Sequence, residues 1–276
     1  MYDLYQIDRL IDLWLSEDIG YCDLTAQLMI DEDAVATFHM NARESMVIAG
    51  IGVAERILKR YDPTLAVTRL VSDGQRVEKG ARLLTISGLA RSIVTTERPT
   101  LNILQRMCGI ATETARYRAA IEGTGACLID TRKTTPGLRM LEKHAVVCGG
   151  GVNHRLGLDQ GVMLKDNHIA VAGSIRNAVA RARRQLPILT KIEVECDRLE
   201  QVAEAAEAGA DVIMLDNMPP AEMKKAVAMV AGRAKIEASG GIRIDTIRDI
   251  ALTGVDYIST SKITQSAPAV DIGLDE

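Results

Sequence analysis

LTKIEVECDRLEQVAEAAEAGADVIMLD, residues 189–216, reads as strand, helix, strand. LTKIEVE is an apolar run too short for a helix and ends on Glu193 and Glu195; LEQVAEAAEAG then carries small apolar residues at helical spacing and stops at Gly209; DVIMLD repeats the short run and ends on Asp216. A strand that returns to its sheet through a helix lies parallel to its predecessor. The same alternation extends outward, with the runs ACLID and GVMLK before it, AKIEASG and DYISTS after it, and the helical segments SIRNAVARARRQ, AEMKKAVAMVAG and IDTIRDIALTG between and beyond. Such repetition predicts an α/β fold with a parallel sheet, either a barrel or an open doubly wound sheet. Roughly 150 residues are short for eight strand-helix units, so an incomplete α/β barrel of about six or seven strands is expected. No GxGxxG follows the first run, which weighs against a dinucleotide fold.

The residues ending these runs carry the chemistry. In chain order they are Asp130, Thr131 and Arg132, then Lys165 and Asp166, then Glu193 and Glu195, then Asp216 and Asn217, then Ser239, Gly240 and Gly241, and finally Ser259, Thr260 and Ser261. One polar residue after a strand is an ordinary helix cap; a succession running basic, acidic, small is the rim from which α/β barrels build active sites. Arg132 can grip a carboxylate or phosphate with two parallel hydrogen bonds, and Lys133 and Lys165 act as point charges. Glu195 and Asp216 are hard oxygen donors of the kind that hold Mg2+ loosely while substrate oxygens and water complete its shell. Ser239, Gly240 and Gly241, followed by the start of a helix near Asp245, offer N–H groups to a phosphate, and residues 259–261 add hydroxyls.

Around this rim, residues 130–169 concentrate Arg132, Lys133, Arg139, Lys143, Arg155 and Lys165 with His144, His154 and His168, the composition of a pocket for a small polyanion. The chain as a whole is mildly acidic, at −4, and has only eight aromatic residues, which excludes a general nucleic-acid surface. The ligands are therefore expected to be small molecules. Five cysteines, none in a CxxC pair, fit a reducing compartment better than a disulfide or zinc framework. No signal-like segment or long apolar run occurs, so no membrane association and a cytoplasmic location are expected.

Ahead of the alternation, Ile7, Leu10, Ile11 and Trp14 recur at helical spacing and predict a helix over residues 4–17 with those side chains in the core. GVAERILKRYD is a second helix, and AVTRLVSDGQRVEKGARLLTISG reads as short strands turning at Gly74 and Gly80. TTERPTLNILQRMCGIATETARYRAAIEG is one long helix with Pro99 in its first turn and Arg98 at its start, where a cation is out of place unless an anion joins it. The expected division is an N-terminal α+β sandwich-like domain with the linking helix over 1–110 and a barrel over 111–276, with a C-terminal tail returning to the first domain. VSDGQRVEKGARLLTISG also resembles half of a biotinyl or lipoyl carrier domain, but residues 26–93 hold no lysine between the small or apolar neighbours that a carrier displays.

SEDIGYCDLT, ERPTLNILQRMCGIAT, DTRKTTPGLRMLEKHAVVCGGGVNHR, KDNHI, IEVEC, IMLDNM, EASGGI and GVDYIS together resemble the quinolinate phosphoribosyltransferase (decarboxylating) family, almost end to end. The resemblance implies conversion of quinolinate and phosphoribosyl pyrophosphate to nicotinate mononucleotide, pyrophosphate and CO2, with Mg2+. It implies that quinolinate meets Thr131, Arg132, His154, Arg155 and Lys165, with Arg98 reaching across from a neighbouring subunit of a homodimer or higher oligomer. Lys133, Glu195 and Asp216 would serve the phosphoribosyl group and the metal, and Ser239, Gly240, Gly241, Ser259, Thr260 and Ser261 its phosphate. Lys133, Lys165, Glu195 and Asp216 are then the catalytic set. Where many relatives carry Gly, a small residue and later His, this chain has Ser261, Lys262 and Gln265. Two other enzymes remain in view: the paralogous transferase found with molybdate transporters, which departs at KDNH, and a Schiff-base aldolase using Lys165.

Overall fold

The computed structural model describes residues 3–276 and divides into two compact units. Unit 1 holds the residues up to Ala115 with Thr135–Gly150 and Ser266–Glu276; unit 2 holds Arg116–Thr134 and Gly151–Gln265.

In unit 1, β1 (Val35–Ala42), β2 (Met46–Val47), β3 (Ala66–Arg69), β4 (Arg76–Val77) and β5 (Arg82–Leu89) form antiparallel pairs. β1 pairs with β5 along its length, β5 also with β3, and Gly74 and Gly80 adopt the positive φ that the connecting turns require. The sheet buries Met40, Leu84 and Ile86 against Leu101, Leu104 and Cys108 of the long helix Glu97–Ala120, each such side chain contributing about 1.5–3 kcal/mol on burial. The N-terminal helix, Leu4–Ile19, starts on the Asp3 cap and buries Ile7, Ile11 and Leu15. Leu10 and Trp14, expected in the core, are only half-buried, because the stripe turns toward Leu15. Asp8 and Asp12 of this helix meet Arg56 and Arg60 of the helix Ile51–Tyr61.

Unit 2 is built on β6 (Cys127–Ile129), β7 (Val162–Leu164), β8 (Ile192–Cys196), β9 (Val212–Asp216), β10 (Lys235–Ser239) and β11 (Tyr257–Ser259), in the order β6-β11-β10-β9-β8-β7 and parallel throughout. Consecutive strands are neighbours from β7 to β11, and the first strand then joins the last. That is the order of a barrel left open between β6 and β7. Along the open edge Val152 makes one parallel bridge to Ile129. The helices Ile175–Arg183, Leu199–Glu207, Pro220–Val230 and Ile247–Ala251 occupy the crossovers that the sequence assigns to them.

The sequence draws one boundary, after residue 110, whereas in the structure the helix Arg139–Cys148 counts with unit 1. A half-buried arginine ties that helix to unit 1: Arg106 of the long helix reaches the buried Glu142 Oε1 with Nη2 at 2.9 Å and Ala267 O with Nη1 at 2.8 Å. Gly109 admits the tail, since a Cβ there would lie 2.0 Å from Pro268 O. β12 (Ile272–Asp275) then pairs antiparallel with β1.

Candidate active site

The strands of unit 2 end on a pocket of about 620 Å3. Its walls follow the period of two that sends alternate side chains to one face: Met163 and Lys165 from β7 and its end, Glu195 from β8, Met214 and Asp216 from β9, Glu237 and Ser239 from β10, Ser259 from β11. Loops add Asp130, Thr131, Arg132, Lys133, His154, Arg155, Asn217, Gly240 and Gly241. Asp216 lies beside Ser239 in the β9–β10 register, which brings the acidic and phosphate-type ends together.

Local hydrogen bonds hold each wall. Asp130, fully buried, accepts the His154 N–H at 2.8 Å on Oδ1 and the Asn153 side-chain amide at 2.7 Å on Oδ2, folding residues 153–155 over the end of β6. Thr131 Oγ1 accepts the Lys133 N–H at 3.0 Å, and the Lys133 carbonyl accepts from Thr264 Oγ1 at 2.9 Å. Lys165 caps the helix Asp166–Ala172, its N–H meeting His168 Nδ1 at 3.0 Å. The Lys165 ammonium pairs with Glu195 Oε2 of the neighbouring strand.

The electrostatics suit a polyanion. Burial, and after it the like charge of Arg132, lower the Arg155 pKa below its ordinary value. Two guanidiniums bearing on one another favour an anion between them. Arg155 is fixed by Gly161 O at 2.9 Å and Met163 Sδ at 3.7 Å. Beneath it, His154 Nε2 lies 3.0 Å from Glu193 Oε2 and 3.4 Å from Glu237 Oε2. Burial opposes charge on this ring, but the two carboxylates outweigh it and pull the His154 pKa up to about 10, so the imidazole is held as a cation against them, with Nδ1 2.8 Å from Arg155 N. Burial and the nearby Glu193 charge push Glu237 up to about 7.

Of the residues that the sequence assigns to the site, Thr131, Arg132, Lys133, His154, Arg155, Lys165, Glu195, Asp216, Ser239, Gly240, Gly241 and Ser259 line this one pocket. Thr260 and Ser261 do not. Thr260 is buried, gives its hydroxyl proton to Ile242 O at 3.2 Å and caps the short turn Ser261–Ile263. The helix after the glycines begins only at Ile247 and has five residues, so the glycine loop rather than a helix end borders the pocket. Arg98 belongs to unit 1, is exposed, and has Glu97 as its salt-bridge neighbour at 3.8 Å. Arg139, Lys143 and His144 also sit in unit 1: Lys143 is buried, and His144 Nε2 meets Asp73 Oδ2 at 2.7 Å. His168 serves the helix cap. Gly149 is tight for packing reasons, since a Cβ there would lie 2.4 Å from Ala111 O.

Glu237, Met163 and Met214 are pocket residues that sequence reasoning passes over. In AKIEASG the glutamate stands two residues before Ser239 and hence on its face, a signal that strand alternation supplies. Burial pushes the Cys108, Cys148 and Cys196 thiols up to about 12, which removes them as nucleophiles. Among the described residues no helix is long and apolar enough to cross a membrane.

Comparison with known proteins converges on one family. Residues 23–108 match the quinolinate phosphoribosyl transferase N-terminal domain and residues 110–275 its C-terminal domain. The chloroplastic nicotinate-nucleotide pyrophosphorylase (carboxylating) of Oryza sativa subsp. japonica is 42% identical over 289 residues, covering 98% of this chain and 77% of that one. The crystal structure of NadC from Streptococcus pyogenes superposes with a TM-score of 0.96 at 40% identity, over 100% of this chain and 98% of that one. The nicotinate-nucleotide pyrophosphorylase of Francisella tularensis gives 0.96 at 39% identity, over 100% and 97%.

Proposed function

The chain belongs to the quinolinate phosphoribosyltransferase family, and from that premise we propose that the unit 2 pocket carries the family's reaction: quinolinate and phosphoribosyl pyrophosphate give nicotinate mononucleotide, pyrophosphate and CO2. This is a pentosyl transfer of pyridine nucleotide and NAD biosynthesis. The observation that carries the assignment is the sorting of charge within one pocket, with Arg132, Arg155 and Lys165 on the early strand ends and Glu195, Asp216, Ser239 and Gly240 on the later ones. A pyridine dicarboxylate needs the first set. A ribose phosphate with a departing pyrophosphate needs the second.

In this reading Arg132 and Arg155 grip the two ring carboxylates with Lys165, Thr131 and His154 around them, and the ring nitrogen is held toward the ribose carbon that loses pyrophosphate. Lys133 stands over the departing charge, and the 239–241 amides and Ser259 take the sugar phosphate. Attack makes the ring a pyridinium. The bond to the 2-carboxylate then breaks, its electron pair stays on the ring carbon beside the positive nitrogen, CO2 leaves, and a proton completes nicotinate mononucleotide. Glu195 and Asp216, hard carboxylates at adjacent strand ends of the same pocket, fit Mg2+. When bound, that ion would neutralise charge on the pyrophosphate. The reading includes a homodimer or higher oligomer in which exposed Arg98 serves a neighbouring subunit's pocket, and a cytoplasmic location.

The test is acceptor choice. Purified protein with phosphoribosyl pyrophosphate and Mg2+ is offered quinolinate or nicotinate at equal concentration. Consumption of quinolinate with nicotinate untouched supports a site built for two carboxylates. Equal use of both, or of nicotinate alone, sinks it.

A further inference from the structure

The segment after Ser259 stays out of the pocket, yet it holds two buried threonines. Thr260 and Thr264 bracket the short turn Ser261–Ile263 and are 5% and 0% exposed. The turn closes on itself: Thr260 Oγ1 accepts the Lys262 N–H at 3.2 Å, and Ser261 O accepts the Thr264 N–H at 3.2 Å. Each threonine gives its hydroxyl proton outward. Thr264 Oγ1 donates to Lys133 O at 2.9 Å, nearer than Ser261 O at 3.4 Å, and Thr260 Oγ1 donates to Ile242 O at 3.2 Å. A valine would fill either place without the cost of burying a hydroxyl, so packing does not account for the two groups.

Both acceptors lie on loops with no strand or helix of their own. Lys133, a pocket residue, is tied by threonines at both main-chain groups, its N–H to Thr131 Oγ1 at 3.0 Å and its carbonyl to Thr264. Ile242 follows directly on Gly240 and Gly241, which also line the pocket. A sugar phosphate that carries pyrophosphate on its ring presents two anionic ends a set distance apart, so the loops that meet them must be held at a matching separation. Residues 260–264 reach both loops.

We propose that Thr260 and Thr264 are positioning residues for phosphoribosyl pyrophosphate: Thr264 sets the main chain of Lys133 at the pyrophosphate end, Thr260 sets the glycine loop at the sugar phosphate, and the turn between them fixes the distance from one to the other. The segment thus serves the phosphates through two carbonyls and touches neither. This rests on the pocket being the phosphoribosyl pyrophosphate site.

Isothermal calorimetry with pyrophosphate and Mg2+, and separately with ribose 5-phosphate, reads each loop without turnover. Thr264→Val is expected to bind pyrophosphate about tenfold more weakly and ribose 5-phosphate within about twofold of wild type, and Thr260→Val to show the reverse. Thr264→Ser and Thr260→Ser keep the hydroxyl and should restore wild-type binding. In two-substrate kinetics each valine variant raises the phosphoribosyl pyrophosphate KM about tenfold and leaves the quinolinate KM within about twofold. Thr264→Ala and Thr260→Ala take the place of a valine variant whose added methyl prevents folding, and partial unfolding lowers the number of sites without changing their affinity. The inference is overturned if either variant weakens both probes alike, if neither probe is weakened, or if wild-type protein binds neither. Wild-type protein that binds both, with variants that respond in this pattern while quinolinate goes unused, would uphold the brace and refute the proposed function.

Discussion

Gly240→Ala tests the loop assigned to the sugar phosphate. Gly240 has φ +92, and a Cβ built there would lie 2.2 Å from Asn217 Oδ1 and 2.9 Å from Asn217 N. The positive φ costs a non-glycine residue about 1–2 kcal/mol, and forcing a methyl into a packed contact about 1–3 kcal/mol more. The upper part of that range applies, because Asn217 is tied to Ser239 O at 3.0 Å through its N–H and to Asp216 Oδ2 at 2.9 Å through its side chain. The total is roughly 3–5 kcal/mol, or about 6–10 °C in the unfolding midpoint of a chain of this size. Relief by moving the loop displaces Asn217 and Asp216 together, so the KM for phosphoribosyl pyrophosphate should rise at least about tenfold while that for quinolinate stays within about threefold. Gly241→Ala is the control: φ is +62, the nearest atom to its Cβ is Asn217 Oδ1 at 4.0 Å, and only the backbone cost of about 1–2 kcal/mol applies. Scanning calorimetry and two-substrate kinetics on both variants decide. Equal midpoints for the two, or an unchanged KM for phosphoribosyl pyrophosphate in Gly240→Ala, would refute the reasoning.

Three further outcomes are expected. Lys165→Met removes the ammonium that pairs with Glu195; the quinolinate KM should rise about tenfold, and near-normal kinetics would remove Lys165 from the site. Glu142→Ala takes from the half-buried Arg106 guanidinium the carboxylate that it holds with Nε at 3.1 Å and Nη2 at 2.9 Å, leaving its bond to Ala267 O; a loss of about 1.5–3 kcal/mol follows, read by urea unfolding, and a loss below about 0.5 kcal/mol would show that the pair is dispensable. Burial works to raise the Asp73 pKa, but His144 and the Ile51 and Gly50 N–H groups overcome it and hold the carboxyl below its ordinary value. Its stabilisation is therefore full above the unfolded pKa and is lost as pH falls through the lower folded one, so Asp73→Asn should flatten the decline of wild-type midpoints from about pH 4 downward; parallel wild-type and variant curves would contradict this.

Much of unit 2 is legible in the sequence because β6 to β11 are short apolar runs each closed by a polar residue, and period-two alternation needs only the run to place that residue. The order of neighbours around the sheet also follows, since consecutive parallel strands pair through their crossovers. What does not follow is which charges share a space. Residues 130–169 look like one cationic cluster, but the chain leaves unit 2 between Thr134 and Gly151 and takes Arg139, Lys143 and His144 with it. Composition counts charge along the chain, whereas the partner of the buried Glu142 is Arg106 on the long helix, 36 residues away. Thr260 shows the same limit at smaller scale: its hydroxyl is spent on Ile242 O, a contact 18 residues away. Glu237 is legible only by alternation, since an acid inside AKIEASG has no local reason to be buried. Its reason lies across the barrel, on His154.

The most direct measurement uses quinolinate labelled in its 2-carboxylate. Purified protein, phosphoribosyl pyrophosphate and Mg2+ are incubated together, and labelled CO2 and nicotinate mononucleotide are followed in the same sample. Expected are equal amounts of both from the first time point, with neither formed once Mg2+ is chelated. Labelled CO2 without the mononucleotide, or no product from folded protein, would contradict a pocket built to join ribose to the ring and release its neighbouring carboxylate.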